Sequence, residues 1–167
     1  MSVINSITAY GQIQYVRPAF QWEGGLEWNQ MQLFWDGDKL PEEFSLREGI
    51  YTFSERMIGT NRSSETWKWR WFARIIQIIA RQFVDSEQDR AALHDSVELS
   101  SYTSGRQCAT FADAYAHVLP LLDKILPKIR YQWNNSDKRT RREFREMFEE
   151  QYKLFLIASK NGVLELN

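Results

Sequence analysis

"SSETWKWRWFARIIQIIARQF", Ser63 to Phe83, is where the hydrophobic period of this 167-residue chain changes. Phe72, Ile75, Ile76, Ile79 and Phe83 recur at i, i+3, i+4, i+7 and i+11, one face of an α-helix, with Ser63 or Ser64 as its cap. Arg74, Gln77 and Arg81 interrupt the apolar run, so the segment predicts a core helix and falls well short of a membrane span. Before it the period is two. "QIQYV" alternates Ile13 and Tyr15 with polar neighbours, and "WNQMQLFW" alternates Met31, Leu33 and Trp35, the pattern of half-buried strands bounded by the turn signals Gly24-Gly25 and Asp36-Gly37. "LPEEFSLREG" predicts a short helix ended by Gly49.

Downstream, the helical period persists. "DSEQDRAALHDSVEL" restarts with Asp85 or Ser86 as cap and places Leu93 and Val97 on one face, and the small polar residues 100–106 predict a loop. "TFADAYAHVLPLLDKILPKIRYQW" repeats the spacing at Phe111, Tyr115, Val118, Leu122, Ile125 and Ile129, but Pro120 and Pro127 each remove a donor and crowd the preceding turn, so a kink or two shorter helices should result. A last helix, capped by Ser136, buries Phe144, Phe148, Tyr152 and Phe155 and ends at Asn161-Gly162. The expected fold class is mainly α, a bundle of about four helices with a small N-terminal β or irregular region. It forms a single domain over 1–167, with residues 1–60 β or irregular and a helical core at 63–160.

Composition narrows the function classes. One cysteine, Cys108, excludes an internal disulfide framework, and "MSVINSITAY" has neither a basic nor an apolar targeting region, which together point to a reducing, cytoplasmic setting without a membrane partner. Cys108 and His117 are the one thiol and base near each other in sequence, but a lone cysteine is more often buried and inert. Asp113 and His117 with His94 and Asp95 have a permissive spacing for a metal, yet no metal-binding motif surrounds them. No Gly-rich phosphate loop, G-x-S-x-G elbow or H-E-x-x-H is present. No catalytic residue, cofactor or metal is expected, and the chain does not read as an enzyme.

Charge is the sharper signal. The net charge of −1 hides alternating blocks: residues 1–60 carry four bases against eight acids, 61–82 five against one, 83–125 three against seven, and 126–145 seven against two. Such blocks offer complementary surfaces for self-association or for an anionic ligand. Lys138, Arg139, Arg141, Arg142 and Arg145 fall in the first turns of the last helix, where the helix dipole disfavours cations by a few tenths to about 1 kcal/mol each. Three opposite-charge neighbours at i+4, Arg139 with Glu143, Arg142 with Glu146 and Arg145 with Glu149, offset part of that cost. The remainder suits guanidinium forks set against phosphate or an acidic partner face. Arg62, Lys68, Arg70, Arg74 and Arg81 are expected to line the same groove.

"RREFREMFEEQYKLF", residues 141–155, resembles the carboxy-terminal part of coat proteins from rod-shaped plant viruses. Arg145 precedes the pair Phe148-Glu149, then Tyr152, Leu154 and Phe155 follow, with the helix "FADAYAHVLPLLDKI" upstream in the same order. The resemblance implies that Phe148 and Glu149 belong to the packing that organises subunit contacts, and that Arg106 and Asp113 lie near an RNA-facing end. The expected function is therefore a structural coat or capsid protein that assembles with copies of itself into a helical virion and packages single-stranded RNA. Its RNA-binding residues would be Lys138, Arg139, Arg141, Arg142, Arg145, Arg70, Arg74 and Arg106, with Trp28, Trp35, Phe148 and Glu149 at subunit interfaces. The alternative is a small helical protein-binding module, a viral or phage accessory or inhibitor protein. That reading uses Trp22, Trp28 and Trp35 against a partner, since tryptophan is enriched at interface hot spots.

Overall fold

The computed structural model describes residues 6–18, 30–33, 49–59, 67–129 and 138–166. Four long helices form where the 3.6-residue period predicts them. In α1 (Trp67–Gln82) Phe72, Ile75, Ile76 and Ile79 are fully buried. α2 (Glu87–Asp95) is capped by Ser86, whose Oγ accepts from the Asp89 N–H at 3.3 Å. α3 (Gly105–Val118) stops ahead of Pro120, which sits in a 3₁₀ turn at Leu119–Leu121. After the single turn α4 (Leu122–Ile125), Pro127 forces a second 3₁₀ turn at Leu126–Lys128, so the two prolines break the helix as their missing N–H groups require. α5 (Lys138–Ser159) buries Phe144, Phe148, Gln151, Phe155 and Ala158, a stripe of alternating four- and three-residue steps.

The chain is nevertheless a mixed α/β protein and not the helical bundle with a small N-terminal β region expected from its periodicity. Among the described residues seven strands, β1 (Ile7–Gly11), β2 (Gln14–Arg17), β3 (Gln30–Leu33), β4 (Gly49–Thr52), β5 (Glu55–Ile58), β6 (Tyr102–Ser104) and β7 (Val163–Leu166), build two antiparallel sheets. The first has the order β5-β1-β7-β6, the second β2-β4-β3. β6 occupies the segment expected as a loop, and β7 follows directly on the last helix. The strands expected near residues 13–15 and 31–35 correspond to β2 and β3, but they flank β4 and do not pair with each other. The short helix expected at 40–49 lies almost wholly outside the described residues, and Gly49 opens β4.

Pairing register fixes the layers. Met57, Ala9, Leu164 and Thr103 stand in one row across the larger sheet, and their face meets the helices, α5 lying over β1, β5 and β7, and α3 over β6 and β7. Residues one step along, Tyr10, Val163 and Tyr102, point to the opposite face and pack with Ile13, Tyr15, Tyr51 and Phe53 of the second sheet's side. A helical layer, a four-stranded sheet and a three-stranded sheet result. The main core lies between the helices and the first sheet, where Trp71 and Phe72 of α1 meet Phe144 of α5 at 5.9 and 5.1 Å between ring centroids.

The turn from α5 into β7 is sterically demanding. Asn161 adopts the left-handed conformation (φ 51°), and the Gly162 N–H returns to the Ala158 carbonyl at 3.0 Å, satisfying one of the helix's last acceptors. A Cβ on Gly162 would lie 1.9 Å from the Tyr10 carbonyl oxygen, so only glycine lets the chain pass close enough to β1 for β7 to pair with it. Gly162→Ala should lower stability by roughly 2 kcal/mol or more, measured by urea denaturation. Asn161→Gly, which keeps the left-handed turn, should change it by less than about 1 kcal/mol.

Tyr10 supplies a second test. Burial, and then the neighbouring Glu165 carboxylate, push its hydroxyl up from 10.0 to about 12. Below pH 10 both folded and unfolded chains keep the proton. Between 10 and about 12 only the unfolded chain releases it, so stability should fall as pH rises through that window. Tyr10→Phe should show a shallower decline over the same range.

Candidate functional site

The cations of α5 divide by helical geometry. Lys138, Arg141, Arg142 and Arg145 stand at i, i+3, i+4 and i+7, one stripe along the helix, whereas Arg139 falls to the side and its Nε pairs with Glu143 at 3.4 Å. That stripe forms one wall of a cleft of about 340 Å³. The opposite wall is Asp123 of α4 with Leu126 and Pro127 of the proline-forced turn. Among the described residues, four cations thus face one carboxylate flanked by two apolar side chains.

Arg145 holds the two walls together. Its Nη1 donates to Asp123 Oδ1 at 2.8 Å and its Nε to Glu149 Oε1 at 3.1 Å, bridging α4 and α5. With Asp123 largely exposed, the bridge contributes no more than about 1 kcal/mol, and its consequence is geometric. Among the described residues Asp123 is the single acid lining the cleft, against four cations. Of the three i+4 pairs expected in the sequence, Arg142 with Glu146 does not form. Among the described residues the cleft has no nucleophile, and its one carboxylate is engaged by Arg145. What such a row of cations can do chemically is pair with an anion, guanidinium forks being matched in shape to phosphate oxygens.

The other residues singled out in the sequence are dispersed. Arg70, Arg74 and Arg81 lie on the exposed side of α1, opposite its buried stripe, and none lines the cleft. Arg106 is exposed in the first turn of α3. Because α3 runs antiparallel to α5, Phe111 meeting Phe155 and Tyr115 meeting Phe148, Arg106 stands beside the far end of α5, where Gly105 approaches Ala158, roughly 25 Å from Arg141 at about 1.5 Å per residue. Arg62, Trp22, Trp28 and Trp35 lie outside the described residues. Cys108 and His117, nine residues apart on α3, project to opposite sides of it. Burial pushes the Cys108 thiol up, while exposed His117 meets Asp89 of α2 at 2.8 Å. Among the described residues no three His, Cys, Asp or Glu side chains gather as a metal site would require, and no helix is long and apolar enough to cross a membrane.

Phe148 and Glu149, expected at a subunit contact, part company. Phe148 has no exposed surface and stacks on Tyr115 at 4.4 Å inside the chain's own core, so it has no surface to offer a partner. Glu149 remains partly exposed and accepts from Arg145. The sequence carried a signal for the cleft that a plain count of bases blurs: the i, i+3, i+4, i+7 spacing separates its four cations from Arg139. Compared with protein-family models, curated proteins and solved structures, the chain matches none of them. The site's own geometry is therefore the basis for a functional reading.

Phe148→Ala should cost about 3 to 5 kcal/mol, as expected for removal of a buried aromatic ring. Chemical denaturation at several protein concentrations checks this. A core role makes the destabilisation independent of concentration, whereas a subunit contact would make it concentration-dependent.

Proposed function

We propose that the chain binds single-stranded RNA through the cleft at the start of α5, and that it does so as a structural protein assembling with copies of itself, in the manner of a coat protein. The observation that carries this reading is the row Lys138, Arg141, Arg142 facing Leu126 and Pro127 across a cleft about 340 Å³ in volume. Cations at a helix start oppose the dipole, so their presence along the first two turns of α5 works against the isolated fold and favours one in which an anion meets them. A flexible single strand suits a concave cleft better than a duplex does, since its phosphates follow the groove while unstacked bases reach the apolar wall. The alternating charge blocks, which give one face for another copy's opposite face, support the assembly part. In this reading the protein acts in the cytoplasm and ends in the virion. The protein-binding alternative rests on tryptophans outside the described residues, and no described feature favours it.

Replacing Lys138, Arg141 and Arg142 together by glutamine tests the reading, with Arg145 left in place to preserve the bridge to Asp123. Affinity for a single-stranded RNA oligonucleotide should fall, and the slope of log affinity against log salt should flatten by about 0.7 for each phosphate no longer neutralised. Thermal stability should stay at the parent value or rise slightly, because three unfavourable dipole interactions are removed. Unchanged affinity and slope in folded protein would remove RNA from this cleft.

A further inference from the structure

A second cavity, of about 230 Å³, opens where α2 ends and α3 begins. Asp95 and Glu98 stand at its mouth as exposed side chains, Ser100 and Gln107 add polar groups, and Phe111 closes the inner side. The deciding residue is Thr103 of β6. It is only 3% exposed, it lines this cavity, and among the described residues no side chain or backbone group hydrogen-bonds its hydroxyl. Buried hydroxyls in folded proteins are almost always hydrogen-bonded, so one without a protein partner beside a polar cavity is met by what fills that cavity, water or a ligand that displaces it.

The lining defines what that is. Two carboxylates line the cavity together with the Thr103 hydroxyl and the side-chain amide of Gln107, and Arg106, on the same turn as Gln107, does not line it. The C-terminal end of α2, whose last residue is Asp95, adds negative potential and the first turn of α3, which carries Gln107, adds positive potential, so the two carboxylates set the charge of the site. A group that donates and carries positive charge answers the two carboxylates and the Thr103 hydroxyl. A primary ammonium has three donors and no acceptor. A metal ion answers them less well, since six to eight oxygen ligands are usual for calcium and these residues do not gather as a metal site. We infer that this cavity is a binding site for an alkylammonium group, held by Asp95 and Glu98 at its mouth and by the Thr103 hydroxyl within. The inference is independent of the RNA-binding reading of the cleft on α5.

An alkylammonium reaches a protein either as a free amine or as the lysine side chain of a second copy, and the test separates the two. Calorimetric titration of the full chain with butylammonium should show one saturable site, weakened roughly tenfold by Glu98→Gln, which removes one charge-assisted hydrogen bond. Thr103→Val, nearly the same shape, should weaken it similarly in protein whose circular dichroism is unchanged. Tetramethylammonium, equal in charge but without N–H donors, should not bind. Sedimentation then identifies the source: self-association abolished by both butylammonium and Glu98→Gln assigns the site to a lysine of another copy, and its absence with butylammonium still bound assigns it to a free amine. No saturable butylammonium binding, equal binding of tetramethylammonium, or affinity unmoved in Glu98→Gln overturns the inference. Calcium binding in place of the amine overturns it as well.

Discussion

Antiparallel pairing of β7 with β1 is the constraint on which the rest of the structure depends. Residues 163–166 enter between β1 and β6, and Ala9 comes opposite Leu164, nearly the whole chain away. Closing so long a loop costs conformational entropy that local contacts cannot offset. It is recovered because Val163 and Leu164, adjacent in sequence, are buried on opposite faces of the sheet, one against the Tyr51 cluster and the other against the helices. One strand therefore joins both cores. The path of α5 follows from it, since the helix must end where Asn161 and Gly162 can turn the chain back beneath Tyr10.

Helices are legible in the sequence because each has one buried face, and a single buried face writes itself as a period. α1 and α5 show this directly, and the prolines at 120 and 127 announce that the helix breaks there, though not that the breaks are 3₁₀ turns. β7 is not legible for the converse reason. With Val163 and Leu164 buried on both sides, there is no alternation to read, and a short strand directly after a helix's terminal glycine resembles the frayed end of that helix. β6, only three residues long, has too few positions for any period, and its small polar residues favour turns when considered alone. Both strands exist through their neighbours. Tertiary pairing here overrides local preference, which is why a helical period that is correct segment by segment points to the wrong fold class.

Legibility of the cleft is likewise partial. The four cations on one stripe of α5 can be read from spacing alone, but their opposite wall cannot, because Leu126 and Pro127 come into place only through the tight turns that the prolines impose. Grouping by charge also overreaches. Arg70, Arg74 and Arg106 are bases like those of the cleft, yet helix phase sends the first two to the far side of α1 and antiparallel packing puts the third beside the other end of α5. Charge counted along a chain gives no direction in space. Phase and packing supply it.

The same helix carries the core and the cleft, and this ties the cleft's shape to the fold. Phe144 and Arg145 are consecutive, so the turn that buries one ring against Trp71 and Phe72 directs the next side chain to Asp123. Rotation of α5 about its axis is fixed by the stack of Phe148 on Tyr115 one turn further on. A change of phase that opened the cleft would also unstack those rings, at a cost well above the fraction of a kcal/mol each exposed cation could gain. The cleft's outline is thus set by the core, while its charge is free to vary, since Lys138 and Arg142 stand exposed and the buried stripe of α5 holds the helix where it is.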